Sequence, residues 1–118
     1  NTAWAFATLG VHDDALMTGL AKNALRPGIL STFDAPSLAT TAWSYAVLGI
    51  RDDALMAAIA NRTLQDGFLN TFDARSVAST AVAYAMLGIR HEALMAALAR
   101  RIVQADFVST FSAQDVAN

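Results

Sequence analysis

Apolar residues recur with the period of an α-helix over residues 35–48 of the chain. On a helical wheel one side carries Ala35, Leu38, Ala39, Ala42, Trp43, Tyr45 and Ala46. The other side carries Pro36, Ser37, Thr40, Ser44 and Val47, with Thr41 at its edge. This pattern predicts an amphipathic helix from about Ala35 to Leu48, which we call helix A.

A second helix, helix B, is predicted directly after helix A. Its buried stripe at helical spacing is Leu55, Met56, Ile59, Ala60 and Thr63. Asp34 and Asp52 precede the two helices and predict their N-caps. Gly49 and Gly67 follow them, and glycine tolerates the left-handed conformation that commonly ends a helix. Five or six loop residues are expected after Gly67, before the next helix A begins.

The sequence pattern of this helix pair occurs three times, at a spacing of 39 residues and with no insertion or deletion. The copies cover residues 1–39, 40–78 and 79–117, and Asn118 begins a fourth. Strict spacing favours stacked units that share one core, so we predict an all-α fold: a single α-solenoid segment over residues 1–118. Trp4, Trp43 and Val82 fall at one recurrent core position. We expect the chain to be part of a longer array, because it starts and stops inside the same helix.

Composition narrows the possible functions. Apolar residues make up 55% of the chain, there is no cysteine, and the net charge is −2. A disulfide framework or cysteine-ligated metal is excluded, and no apolar stretch reaches the roughly 18 residues of a membrane span. Weak acidity argues mildly against nucleic acid. The cations form either a basic edge for phosphates or ordinary surface charges: Lys22, Arg51, Arg62, Arg90, Arg100 and Arg101.

No catalytic, cofactor or metal motif is visible, and we expect a protein that is not an enzyme. His12 and His91 occupy equivalent turns, where a capping or surface role explains them better than catalysis. The Asp52-Asp53 pair suits the start of helix B, where negative charge is favourable. No small-molecule substrate is expected.

A polar position recurs once per copy on helix A. It is occupied by Asn1, Thr40, Ser79 and Asn118, which we call the polar ladder. Beside it vary Pro36, Arg75 and Gln114 at one position, and Ser37, Ser76 and Asp115 at the next. Such a ladder would present one hydrogen-bonding choice per repeat to a linear polymer, as modular repeat proteins do with single-stranded RNA. Neutral drift on a solvated helix face is the alternative.

Three segments carry a family resemblance. Residues 1–10, 41–49 and 80–88, together with 111–118, resemble the first helix of octotricopeptide repeats. The resemblance implies an α-solenoid that binds organellar RNA, in a chloroplast or mitochondrion, with helix A lining the RNA-facing surface. The RNA contacts it implies are Asn1, Thr40, Ser79 and Asn118, flanked by Pro36, Ser37, Arg75, Ser76, Gln114 and Asp115.

Two hypotheses therefore stand. The first is a non-catalytic RNA-binding segment that acts in organellar RNA maturation, stability or translation, or binds ribosomal RNA as a ribosome-associated subunit. The second, favoured by the weak acidity, is a scaffold that contacts other subunits of a large organellar complex. A catalytic domain elsewhere in a longer protein is a third possibility.

Overall fold

The computed structural model describes residues 14–65 and 67–103, together with Ala5 and Gly10. This part of the chain holds five α-helices: α1 (Asp14–Ala24), α2 (Ala35–Val47), α3 (Asp53–Thr63), α4 (Ala74–Met86) and α5 (Glu92–Ile102). Two of them, α2 and α4, are A helices, and the other three are B helices. The described residues contain no strand, and the predicted all-α class is confirmed.

The helices begin at the predicted capping residues. The Asp34 carboxylate accepts a hydrogen bond from the backbone N–H of Ser37 at 2.9 Å, and Asp73 accepts the equivalent bond from Ser76 at 2.8 Å. Hydrogen bonds from the Ser37 side chain and backbone hold the pKa of Asp34 below its usual value. Since only acceptor oxygens can satisfy the free N–H groups of a first turn, these caps fix where each A helix starts.

The ends of the A helices are also those expected from the sequence. Gly49 and Gly88 have φ angles of 70° and 68°, a region that side chains with a Cβ rarely adopt. Helix α2 ends at Val47, within one residue of the prediction, and α4 ends at the equivalent Met86.

The B helices bury the predicted stripe. In α3 the buried residues are Leu55, Met56, Ile59, Ala60 and Thr63. Asp52 caps this helix by accepting from the Leu55 N–H at 3.0 Å, whereas His91 caps α5 through Nδ1 at 3.2 Å. The loop before each A helix is more ordered than expected, because it includes a short 3₁₀ turn at Leu30–Thr32 and again at Leu69–Thr71.

Equivalent contacts join successive copies. The hydroxyl of Tyr45 donates to the carbonyl of Met17 at 2.6 Å, and 39 residues later the hydroxyl of Tyr84 donates to the carbonyl of Met56. Helix α2 packs most extensively against α4. Repetition of one contact at one spacing is consistent with stacked solenoid repeats.

The division of helix A into two sides was predicted only in part. Ser44, expected on the polar side, is 0% exposed, and its hydroxyl donates to the Thr40 carbonyl at 2.7 Å. Trp43, expected in the core, is only half-buried. The reason is that helix A contacts both its B helices and the next helix A, so a strip narrower than half the wheel stays exposed.

Within the described residues, none of the helices has the length and apolar character needed to cross a membrane.

Candidate nucleic-acid interface

A cleft of about 330 Å³ lies between the two described A helices. Thr40 and Trp43 of α2 line it together with Arg75 and Ser79 of α4. We call it the A-helix cleft. It brings together the two described members of the polar ladder, and it adds a cation and an aromatic ring to them.

The two ladder hydroxyls are free to bind a ligand. Thr40 and Ser79 are half-buried, and in the part of the chain that the structure describes neither hydroxyl has a hydrogen-bond partner. Their neighbours differ: Thr41 and Thr80 each donate to the backbone carbonyl four residues earlier, at 2.8 Å. An unpaired hydroxyl at the mouth of a cleft can both donate and accept.

Arg75 supplies the positive charge of the cleft. It is exposed, and no ion pair or hydrogen bond engages its guanidinium within the described ranges. A free guanidinium offers a planar fork of donors that matches phosphate oxygens and also stacks on flat rings.

The remaining predicted contacts have different outcomes. Pro36 is exposed near the start of α2, and Ser37 is half-buried. Ser76 is only 4% exposed, because the first turn of α4 packs its side chain inward, and its role as an RNA contact stays a prediction.

Four predicted residues fall outside the described part of the chain. They are Asn1, Gln114, Asp115 and Asn118. Their roles stay predictions.

Trp43 is the residue of the cleft that sequence reasoning missed. The helical wheel placed it in the core, and part of its side chain does pack there. The signal that could have found it is the change to Val82 at the equivalent position, since a core site in a strict repeat would keep its volume.

Three arginines connect one copy to the next, so donors of each are engaged by protein groups. Arg62 lies over the ring of Phe68, 3.8 Å from its centroid, and donates to the Ser31 carbonyl at 3.4 Å. Arg101 donates to the Asn70 carbonyl at 3.3 Å, the same contact one repeat later.

Arg51 also connects two copies. It pairs with Asp53 at 2.8 Å and donates to the carbonyl of Leu87 in the next copy at 3.4 Å. These three arginines therefore join neighbouring copies. Neither the basic edge nor the surface-charge alternative predicted this role.

A second cavity, of about 400 Å³, lies on another side of α2, where it is lined by Asn23, Thr41 and Tyr45 among others. The hydroxyls of Thr41 and Tyr45 already have protein partners, so this cavity offers a ligand less than the A-helix cleft does. No group of side chains among the described residues could hold a metal ion.

The family model of RNA-editing substrate-binding complex 6 protein (RESC6) matches residues 2–118. The chain belongs to the RESC6 family. This membership supports the expectation that the chain comes from an RNA-associated helical family. A specific relationship to octotricopeptide repeats stays a prediction. No curated protein and no solved structure matches the chain.

Proposed function

We propose that the chain is a non-catalytic RNA-binding segment of an organellar RNA-editing complex, and that RNA lies along the A helices. The observation that carries this proposal is the A-helix cleft, where the hydroxyls of Thr40 and Ser79 and the guanidinium of Arg75 converge with no partner among the described residues. Because the family description names RNA editing, we propose that the chain acts in RNA maturation by editing rather than in transcript stability or translation.

The chemistry of the cleft suits single-stranded RNA. Sequence-specific recognition of RNA targets unpaired bases, whose edges form hydrogen bonds with short polar side chains. Thr40 and Ser79 supply such groups from the two helices that line the cleft, and Arg75 supplies a contact for a neighbouring phosphate.

Family membership supports both the ligand and the compartment. The family name describes a component of a complex that binds RNA-editing substrates. RNA-editing complex proteins of kinetoplastids are mitochondrial, so of the two organelles predicted we propose the mitochondrion; the family match lends no support to the chloroplast.

A scaffold role is the second candidate, and one observation favours it. Val47 and Met86, at equivalent ends of α2 and α4, are 41% and 55% exposed. Val47 lies one turn beyond Trp43 and two turns beyond Thr40 on the same strip of α2. Met86 occupies the matching position on α4. Another subunit of the complex would cover such an apolar pair, and the net charge of −2 favours protein over RNA.

Titration of labelled single-stranded RNA with the chain tests the proposal. We expect saturable binding at low salt that weakens as salt is added, since phosphate contacts release counterions. The Arg75→Glu variant is expected to bind at least tenfold more weakly, because it replaces attraction by repulsion, an effect of about 1.4 kcal/mol or more. Absence of saturable binding at low salt would overturn RNA binding and leave the scaffold role.

A further inference from the structure

We infer that the A-helix cleft holds one unpaired nucleobase, stacked between the indole of Trp43 and the guanidinium of Arg75. The inference rests on the proposed function and names what the cleft takes: the base itself, and not only the phosphate backbone.

The first argument is the position of Trp43. A tryptophan of a repeat core normally buries most of its large apolar surface. Trp43 packs most of its side chain against the core, and the surface that stays uncovered lines the cleft. An aromatic ring open to a polar cleft is the common platform on which proteins stack bases, because every base has a π face.

The second argument is the set of groups around that ring. Arg75 comes from the opposite helix and has no partner among the described residues, so the face of its guanidinium is available for the other side of a flat ligand, while its N–H edge can still contact a phosphate. The hydroxyls of Thr40 and Ser79 lie in the same cleft and, with no partner within the described ranges, can bond with the edge of that ligand. A volume of about 330 Å³ is at the lower end of small-ligand pockets and leaves room for one planar ring system.

The third argument is that the arrangement is not repeated. Val82 occupies the position equivalent to Trp43 on α4, and an aliphatic side chain provides no π face. The ladder residues recur at each copy, whereas the pair of an indole and a guanidinium does not, because Pro36 corresponds to Arg75 at the step of Trp4, and Gln114 corresponds to it at the step of Val82. Stacking is therefore expected at the step between the second and third copies and not at the step that follows Val82.

The experiment compares a single-stranded RNA of about twelve nucleotides with an abasic ribose-phosphate oligomer of equal length. The chain has two tryptophans, so Trp4 is first replaced by Phe to make Trp43 the only source of tryptophan fluorescence. We expect the RNA to quench Trp43 fluorescence and to bind roughly tenfold more tightly than the abasic oligomer, which keeps the charge but has no base to stack.

Two variants complete the design. Trp43→Leu is expected to weaken RNA binding about tenfold while leaving the weak binding of the abasic oligomer unchanged, and Trp43→Phe should recover most of the loss. If Trp43→Leu fails to fold, the oligomer comparison on the Trp4→Phe chain still decides the question.

The outcomes separate this inference from the proposed function. Equal affinity for both oligomers, with no change in Trp43 fluorescence, would overturn base stacking while leaving RNA binding through the backbone intact. Saturable binding of neither oligomer would overturn the proposed function, and base stacking with it.

Discussion

At the scale of single residues, adjacent hydroxyls on one helix have opposite roles. The hydroxyls of Thr41 and Thr80 donate to carbonyls of their own helix, while those of Thr40 and Ser79, one position earlier, face the cleft with no partner in the described part of the chain. The difference comes from which part of the helix surface the neighbouring helices cover.

This difference gives a matched pair of variants on α4. Ser79→Ala removes an unpaired hydroxyl, so we expect a changed base preference in RNA binding and a thermal midpoint within error of the native chain. Thr80→Val removes a hydroxyl that is sealed in the packing, so we expect some loss of stability, about 1 kcal/mol, and an unaltered base preference. Thermal unfolding and competition with homopolymeric RNAs measure the two effects. A base preference that responds to Thr80→Val and ignores Ser79→Ala would contradict the assignment.

The sequence predicted the position of the ladder but not which of its neighbours are accessible. Spacing of 39 residues was enough to place Thr40 and Ser79 at matching points. A helical wheel could not show that Ser44 and Ser76 are covered or that Trp43 reaches the surface, because coverage depends on the crossing of neighbouring helices, which no single segment encodes.

At the scale of helices, the copies are tied together by side chains that bond with backbone atoms of the preceding or following copy. The tyrosine hydroxyls on α2 and α4 reach carbonyls in α1 and α3, and Arg62 and Arg101 reach the loops before α2 and α4. Helix ends were predictable from Asp, Gly and Pro, since caps and left-handed turns are local chemistry. These contacts between copies were not, because they join residues about 30 positions apart.

Removing one tyrosine hydroxyl tests this stacking. Tyr84→Phe keeps the buried ring and leaves the Met56 carbonyl short of one donor, so we expect a loss of about 1–2 kcal/mol in the free energy of unfolding. Urea denaturation measures it, with Ser79→Ala as the control that is expected to be neutral. An unchanged unfolding midpoint would mean that the hydrogen bond between Tyr84 and Met56 contributes nothing to the packing of successive copies.

The same tyrosines make the fold sensitive to alkali. Burial, aided by the negative charge of Asp52, raises the pKa of Tyr45 to about 12, and burial raises the pKa of Tyr84 as well. An unfolded tyrosine ionises near pH 10. The folded state therefore keeps its full stability below about pH 10 and loses it as the pH rises towards 12, since the unfolded state releases its proton first.

Unfolding free energies measured between about pH 9 and 11 test this dependence. Above pH 10 each buried tyrosine is expected to contribute a fall of up to about 1.4 kcal/mol per pH unit, so Tyr45→Phe should make the decline shallower. An identical slope in the native chain and in Tyr45→Phe would show that Tyr45 ionises as easily in the folded state as in the unfolded one.

At the scale of the whole molecule, the net charge gives little attraction for RNA. The net charge is −2, and Arg51, Arg62 and Arg101 hold neighbouring copies together. The sequence predicted this weak electrostatic character, but it could not show which of the other arginines lines the cleft. The structure places Arg75 in the cleft, where its charge has no protein partner within the described residues.

RNA affinity should therefore depend only weakly on salt. Each phosphate neutralised on a single strand adds about −0.7 to the slope of log K against log salt concentration. We expect Arg75→Gln to reduce the slope by about that amount. Arg100, exposed on α5 and not part of the cleft lining, gives the matched control, and Arg100→Gln should leave the slope unchanged. Equal slopes for the native chain and Arg75→Gln would remove Arg75 from the phosphate contacts.

The location of bound RNA tests the central claim most directly. Photocrosslinking of single-stranded RNA that contains 4-thiouridine, followed by trypsin and mass spectrometry, locates it well, because cleavage at Arg51, Arg62, Arg75 and Arg90 separates the A helices from the B helices. We predict crosslinks in residues 23–51 and 76–90, at Trp43 above all. Crosslinks confined to residues 52–62 and 91–100, the peptides of α3 and α5, would contradict an RNA path along the A helices.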